Sequence, residues 1–375
     1  MAPARLLPSV FLVALACRAP ADPPSHVPAG ASADAPGTAT VERRLALMGT
    51  WFDLEVEAGD RAAALAASER AVRAVEVVEG RLSTWREDTE LARLNRGPVG
   101  EPVALSPELA HDLGEAARLW RLTGGAFDPG LGALVRAWGL RTGGRKPSAE
   151  ELAAARAAGG FAAFELGPRT ATRRHALAEV EEGGFGKGIA LDAALAELAA
   201  AGATRACLDL GGQVASFGSA AASRSREWEL ADPMDRERPV LALRLGPGSL
   251  STSGNSERGI LVDGEPCSHL LDPVTGRPAP ERGSFSVLAP DATSADALST
   301  GLYVLGADAA FAWVAAHPGH ELVVIEPVCA SRRALASPGL RGRLRALVPE
   351  LEIVFVDPRP SLRAAAAALV PVSSP

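Results

Sequence analysis

The chain has 375 residues, 47% of them apolar, which is enough to bury the core of one large domain or of two ordinary ones. The formal net charge is −7, with the acids scattered and no basic stripe, so electrostatics give no reason to expect a nucleic-acid partner. The three cysteines after residue 17 have no metal-type spacing, which disfavours a zinc site or a disulfide framework.

The first 17 residues have the pattern of a secretory signal. One early arginine precedes an apolar run that is too short to span a bilayer. Small residues stand directly before Cys17, as at a bacterial lipoprotein processing site, although Ala14 occupies the place where leucine is usual. Residues 18–40 are rich in Ala, Pro and Ser, which is typical of a flexible tether. We therefore expect an exported, periplasmic chain, anchored to the inner membrane if Cys17 is lipidated.

The globular part is predicted over residues 41–330. Partial alternation predicts a strand over residues 44–58, followed by a helix over residues 61–82. A second helix is predicted from Ser106-Pro107 to Trp120, because serine is a favoured cap and proline suits the first helical position.

Short β-type runs alternate irregularly with helical patterns in the second half of the chain. The runs are "RACLDL", "EWELADP", "PVLALRL", "GILVDG", "FSVLAP" and "ELVVIEP". The helical patterns are "KGIALDAALAELAAAG" and "SADALSTGLYVLGADAAFAWVAAH". Strands in runs mixed with helices favour an α+β architecture with largely antiparallel sheets. Residues 331–375 are expected to form a peripheral or partly disordered extension.

Asp296 and Thr300 form a candidate ligand pair. If Thr293 or Ser294 caps the helix, Asp296 lies in its opening turn and Thr300 stands four residues later on the same face. A carboxylate and a hydroxyl in this arrangement suit Mg²⁺ rather than zinc. On spacing alone, the alternative that Asp296 only offsets the helix dipole is favoured.

A glycine-rich turn, "GGFGKG", leads into a predicted helix. Its glycines permit close approach of the backbone to a ligand, and the free N–H groups of the helix start attract phosphate. Lys187 is one of two lysines in the chain, which indicates a specific need for a compact ammonium group. A simple strand-to-helix turn accounts for the same residues about equally well.

Two further stretches each admit a structural and a functional interpretation. In "AFDPG", Asp128 either caps a helix that begins at Pro129 or faces a site. In "SHLLDPVTG", His269 is three residues ahead of Asp272, which either orients the imidazole or caps the following turn; the turn role is favoured.

Taken together in this order, the motifs resemble the ApbE family of bacterial FAD:protein FMN transferases. The resemblance covers roughly residues 45–326 and rests on "MGTWFDLEV", "LSTWREDTELARLN", "GGAFDPGLGALVRAWG", "GGFGKGIALD", "CLDLGGQVASFG", "LSTSGNSERG", "SHLLDPVTGRP" and "SVLAPDATSADALSTGLYVLG". The chain departs from the common pattern at three positions: many members have Asp in place of Glu181, Thr in place of Gly130, and Asp or Glu in place of Gln213.

The resemblance implies a single ApbE-like α+β catalytic domain and a Mg²⁺-dependent transferase. Such enzymes bind FAD as substrate and join FMN to a threonine or serine of a partner protein, often a subunit of a membrane redox complex, releasing AMP. It also implies site residues. The FAD contacts would be Met48, Trp85, Ala126, Phe127, Asp128, Glu181, Lys187, Ser253 and Leu270, and the metal ligands Asp296, Thr300 and the Gly184 carbonyl.

The predicted reaction needs a group that takes the acceptor's proton. His269 is the candidate, because an imidazole with an ordinary pKa of about 6.5 is mostly neutral at pH 7. Lys187 and Asp296 complete the predicted catalytic set. Two alternatives stay open from sequence: hydrolysis of FAD to FMN and AMP, and an exported lipoprotein that binds FAD without chemistry.

Overall fold

The structure is a computed structural model that describes residues 37–218, 227–255, 260–262, 264–327 and 332–357. The predicted signal, nearly all of the predicted tether and the chain after residue 357 lie outside the described residues. None of the helices in the described ranges is both long enough and apolar enough to cross a membrane.

Helices and strands alternate irregularly along the chain. The helices are α1 (Arg61–Leu82), α2 (Glu90–Asn95), α3 (Pro107–Leu122), α4 (Gly132–Ala137), α5 (Ala149–Ala157), α6 (Gly186–Ala200), α7 (Ala292–Leu305) and α8 (Ala307–Ala316). The strands of the first half are β1 (Ala39–Leu47), β2 (Thr50–Ala58), β3 (Pro102–Ala104), β4 (Phe164–Gly167) and β5 (Thr170–Arg173). Those of the second half are β6 (Arg205–Leu210), β7 (Gln213–Gly218), β8 (Glu227–Asp232), β9 (Asp235–Arg244), β10 (Gly248–Gly254), β11 (Ile260–Val262), β12 (Glu265–Cys267), β13 (Leu271–Asp272), β14 (Arg277–Pro278), β15 (Ser284–Ala289), β16 (Glu321–Ile325), β17 (Arg332–Ala336), β18 (Leu344–Ala346) and β19 (Leu351–Phe355).

A nine-stranded sheet organises the molecule, in the order β1-β2-β6-β7-β10-β15-β16-β17-β19. Neighbouring strands within this sheet are antiparallel, except for the parallel pair β17 and β19. A small sheet, in the order β18-β9-β8, is formed by strands that lie in the sequence between strands of the main sheet: β8 and β9 between β7 and β10, and β18 between β17 and β19. This mixture of helices and mostly antiparallel sheets confirms the predicted α+β class.

The two faces of the main sheet bury different cores. On β2, Phe52, Leu54 and Val56 belong to the larger core, which also contains the buried residues of α1, α6, α7 and α8. On the other face, Val214 and Leu250 pack with Trp228 and Leu230 of β8. The helical layer and the small sheet therefore enclose the strand ends where the candidate site lies.

The structure corrects three details of the sequence prediction. Residues 44–58 form a hairpin rather than one strand, because Met48 and Gly49 take positive φ values and turn the chain. The helix predicted from Ser294 onward is two helices, separated at Gly306, where φ is +83°. The main sheet continues past residue 330, the predicted end of the domain, because β17 and β19 extend it and bury Ala334, Ala336 and Leu351.

Candidate active site

A cavity of about 900 Å³ opens at one end of the main sheet, between the turn after β1, the hairpin between β6 and β7, and the starts of α6 and α7. Polar and glycine residues from distant segments line it. Those from the predicted set are Trp85, Ala126, Phe127, Asp128, Glu181, Gly184, Lys187, Ser253, His269, Leu270, Asp296 and Thr300. The fold thus brings together all but one of the predicted site residues.

Asp296 is held between two helices. Its side chain is almost wholly buried on α7, with 3% of the residue's surface exposed. One carboxylate oxygen lies 3.2 Å from Nζ of Lys187, and the other accepts a hydrogen bond of 3.1 Å from the N–H of Gly188 at the start of α6. A helix N-terminus and an ammonium group both attract negative charge, so these two contacts hold the carboxylate in a fixed position.

Close packing of the two helix starts makes this contact possible. A Cβ atom on Gly188 would lie 2.4 Å from the carbonyl oxygen of Ala292, so only glycine fits between α6 and α7. The cap of α7 is Asp291, which accepts from the N–H of Ser294 at 2.7 Å; the predicted caps Thr293 and Ser294 are therefore wrong. Asp296 lies in the second turn and is bound to α6, which argues against the role of offsetting its own helix dipole.

Thr300 stands one helical turn after Asp296 and also faces the cavity. The glycine turn runs beside it, since a Cβ on Gly184 would lie 3.6 Å from Oγ1 of Thr300. Ser253 of β10 approaches the same hydroxyl at 3.4 Å. Asp296, Thr300 and Gly184 therefore all line the same cavity, and Gly184 lies beside the Thr300 hydroxyl.

These oxygen donors fit Mg²⁺, which prefers hard oxygen ligands and tolerates a small number of protein groups. Within the described ranges, no cluster of three His, Cys, Asp or Glu side chains could hold an ion. A site made of one carboxylate, one hydroxyl and one main-chain carbonyl contains only one side chain of these four types, so it does not need such a cluster. The Lys187 ammonium beside Asp296 shows that this carboxylate already attracts a cation.

Glu181 belongs to a charged group at the cavity mouth. Nη2 of Arg141 lies 2.5 Å from its Oε2, and the Arg141 guanidinium stacks on the Trp85 ring at 4.6 Å from the ring centre. Burial raises the pKa of Glu181 to about 6, although Arg141 opposes the shift. Trp85 is 65% exposed, so an aromatic face supported by a cation is presented to the entrance.

Asp128 stabilises its own loop through hydrogen bonds to the backbone. Its Oδ1 accepts from the N–H groups of Gly130 at 2.7 Å and Phe161 at 2.9 Å, and burial raises its pKa to about 6. Helix α4 starts only at Gly132, with no side-chain cap, so Asp128 does not cap a helix at Pro129. Phe127 is buried, edge-on to Phe185, and forms the floor of the cavity beside the glycine turn.

Met48 is the predicted site residue that does not line the cavity. It sits at the hairpin turn with φ +50°, and its N–H donates to Glu79 at 3.2 Å. Its methyl group lies 3.8 Å from the position of a Cβ on Gly186. Its neighbours Gly49 and Thr50 do line the cavity, so Met48 supports the site from behind.

His269 lies on the cavity wall next to the buried Leu270. The segment is fixed on both sides, because Ser268 donates to Oδ1 of Asn255 at 2.6 Å and Leu270 donates from its N–H to Ser268. Asp272 accepts from the N–H of Val274 at 2.8 Å and from Oγ1 of Thr275 at 2.9 Å. The favoured turn role of Asp272 is therefore confirmed.

A model of the ApbE family matches residues 48–324. The chain belongs to the ApbE family. The match spans every motif on which the resemblance was based and confirms it.

Named relatives and solved structures agree with this membership. A protein from Treponema pallidum named FAD:protein FMN transferase is 33% identical over 284 residues, covering 71% of this chain and 78% of the relative. A protein of the same name from Vibrio cholerae is 32% identical, covering 68% and 78%. The solved flavin transferase ApbE from Vibrio cholerae superposes with a TM-score of 0.71 at 28% identity, covering 82% of this chain and 99% of that one.

Sequence reasoning missed several residues of this ApbE site. Arg141 was not predicted, since it is one arginine among many and only the fold sets it against Glu181 and Trp85. Gly188 was recognisable only as part of a glycine-rich turn. Glu182 was also missed, although it is adjacent to the predicted Glu181. It accepts a hydrogen bond of 3.1 Å from the N–H of Thr84, whereas Glu181 pairs with Arg141.

Proposed function

We propose that this chain transfers FMN from FAD to a hydroxyl group of a protein, in a Mg²⁺-dependent reaction that releases AMP. The observation that carries the proposal is the buried Asp296 carboxylate, clamped by Lys187 and Gly188 and one helical turn from Thr300 in a large cavity. Family membership and the names of the relatives support the same reaction class.

Asp296, Thr300 and the carbonyl of Gly184 would hold the metal ion. When bound there, Mg²⁺ supplies charge stabilisation for the diphosphate as its P–O bond breaks. The chain itself adds Lys187 as a positive group beside the same carboxylate. Of the amides at the start of α6, that of Gly188 already donates to Asp296, so from this helix start Lys187 is the group that would attract phosphate.

The acceptor hydroxyl must lose its proton as it attacks the phosphorus of the FMN half. A new P–O ester forms, the P–O bond to the AMP half breaks, and AMP leaves. His269 is the proposed base, because it lies in the cavity wall on a segment fixed by Ser268 and Asp272. General base assistance contributes about 10²–10⁴ in rate.

The remaining cavity residues would bind FAD. Trp85, backed by the Arg141 guanidinium, offers a face on which a flat ring system can stack. Glu181 fixes Arg141 in that position. Ala126, Phe127, Asp128 and Leu270 shape the adjacent wall, and Ser253 lies next to Thr300.

The acceptor partner is proposed to be a subunit of a membrane redox complex. Export to the periplasm, with anchoring to the inner membrane through a lipidated Cys17, would place the enzyme beside such a partner. Support for export comes from the sequence of residues 1–17 and of the tether after it.

A denaturing gel read for flavin fluorescence tests the proposal. The purified chain is incubated with FAD, Mg²⁺ and a candidate redox subunit, alongside the Asp296→Ala variant. Covalent fluorescence on the subunit that is absent with Asp296→Ala supports transfer. Free FMN without labelled protein means hydrolysis, and unchanged FAD means binding without chemistry.

A further inference from the structure

Four hydroxyl groups form a connected cluster behind the proposed metal site. Ser251 and Ser253 come from β10, and Ser299 and Thr300 from α7. Oγ of Ser299 lies 2.8 Å from that of Ser253 and 3.3 Å from that of Ser251, and Ser253 lies 3.4 Å from Oγ1 of Thr300. The three serines are at least nine-tenths buried. Hydroxyl groups this deeply buried form hydrogen bonds mainly with one another and with nearby main-chain groups.

The direction of each hydrogen bond follows from counting these protons. A hydroxyl has one proton to donate. Ser299 uses its proton on the main-chain carbonyl oxygen of Asp296, 2.9 Å away, because a carbonyl can only accept. Ser299 must then accept from Ser253, which leaves Ser253 without a proton for Thr300. Thr300 is consequently the donor in its contact with Ser253.

This direction leaves the lone pairs of Thr300 for the cavity. A helical threonine commonly donates to the carbonyl four residues earlier, which here is that of Asp296. Here Ser299 donates to that oxygen, and the Thr300 hydroxyl instead contacts Ser253 of β10. Its lone pairs are then free to face the glycine turn at Gly184.

We propose that Ser253 and Ser299 are positioning residues for the cation, which fix the proton of Thr300 so that its oxygen presents lone pairs to the metal. The proposal rests on the proposed function, because it assumes a divalent ion between Asp296 and Thr300. Groups that orient metal ligands from behind typically change metal affinity by about 10–100-fold. Ser253 therefore acts through Thr300 as well as lining the cavity.

The test measures metal binding rather than turnover. Mn²⁺ is titrated into the FAD-free protein while free Mn²⁺ is followed by electron paramagnetic resonance, and Mg²⁺ is added as competitor. Ser253→Ala and Ser299→Ala should each weaken Mn²⁺ and Mg²⁺ binding by about tenfold. In a Thr300→Val background, Ser253→Ala should cause no further loss.

Ser249→Ala is the matched control. Ser249 is equally buried on the same strand, but its hydroxyl donates to the carbonyl of Val214 at 2.6 Å and does not touch the cluster. Its metal affinity should stay within about twofold of the unmodified chain. Melting temperatures measured without metal show which variants fold. If Ser253→Ala does not fold, the metal affinity of Ser299→Ala tests the proposal.

Unchanged metal binding in folded Ser253→Ala or Ser299→Ala would overturn the proposal and leave the proposed function standing. An equal loss in Ser249→Ala would also overturn it. FMN transfer by the unmodified chain without any divalent ion would instead remove the metal from the proposed function, and this inference with it.

Discussion

Lys187 and Asp296 are 109 positions apart in the sequence, yet the ammonium of one lies 3.2 Å from a carboxylate oxygen of the other. The pair spans the starts of α6 and α7, and the second carboxylate oxygen is bound to the backbone of α6. The acid is thereby aimed into the cavity before any ligand arrives. Preorganised charge of this kind contributes to catalysis because no rearrangement is needed when the reaction occurs.

Asp296→Asn tests that charge. The substitution preserves size but removes the negative charge that the metal and Lys187 require, so FMN transfer should fall by at least about 100-fold. The measurement is the initial rate of flavin fluorescence appearing on the partner protein. Asp291→Asn, the same change at the cap of the same helix, should retain nearly full activity, since asparagine caps helices about as well. Equal activity of the two variants would contradict the role of Asp296.

His269→Ala separates binding from chemistry. The variant should bind FAD with nearly the affinity of the unmodified chain and lose about 10²–10⁴ in transfer rate, because the acceptor hydroxyl has lost its base. FAD affinity is measured by flavin fluorescence quenching and the rate by labelling of the partner. His175→Ala provides the comparison, since His175 is outside the cavity and contacts the N–H of Leu177. Unmodified turnover in His269→Ala would end its assignment as base.

Local chemistry predicted the elements that frame the site. Ser106 caps α3 through the N–H of Leu109 with Pro107 at the first helical position, as the sequence indicated. The helix over residues 61–82 agrees residue for residue. The periodicity of apolar residues and the capping of a helix depend only on residues close together in the sequence, so both can be predicted without knowing the fold.

Contacts between segments that are far apart in the sequence could not be predicted from neighbouring residues. Asp296 and Thr300 were recognisable as a pair one helical turn apart, but nothing in their neighbourhood indicated that Gly188 would bind the carboxylate. The cap was misplaced by two or three residues because Asp, Thr and Ser all suit that position. A second carboxylate, that of Asp192 from α6, accepts from the N–H groups of Ala292 and Thr293 at the same helix start, and this contact between distant segments is not visible in the local sequence.

The pH dependence of stability tests the burial of Asp128. Its folded pKa of about 6 lies above its ordinary value of 3.8, so the folded state holds the proton more tightly. The corresponding stabilisation is fully present below pH 3.8 and is lost as the pH rises from there to about 6. Asp128→Asn keeps the Oδ1 acceptor for Gly130 and Phe161 and cannot ionise. The free energy of unfolding of the unmodified chain relative to this variant should therefore fall up to about pH 6 and stay level between there and pH 7.

Urea unfolding at several pH values provides the measurement for Asp128. Glu151→Gln is the contrasting control, because the Arg145 guanidinium lowers the pKa of exposed Glu151 to about 2. The contribution of Glu151 is lost only as the pH falls below about 4.5, so its difference from the unmodified chain should stay constant between pH 5 and pH 7. A constant difference for Asp128→Asn as well would show that its carboxyl is not desolvated.

Gly130→Ala tests the close approach of two loops at the cavity wall. A Cβ on Gly130 would lie 2.1 Å from the backbone nitrogen of Phe161, so the methyl group can be admitted only if the loop after α5 moves. The substitution should lower the melting temperature by several degrees, in line with the roughly 1–3 kcal/mol cost of overpacking. Gly114→Ala, in α3 with open space around it, should leave stability unchanged or raise it slightly. Thermal unfolding followed by circular dichroism distinguishes the two variants, and equal melting temperatures would mean that the loops are not packed as described.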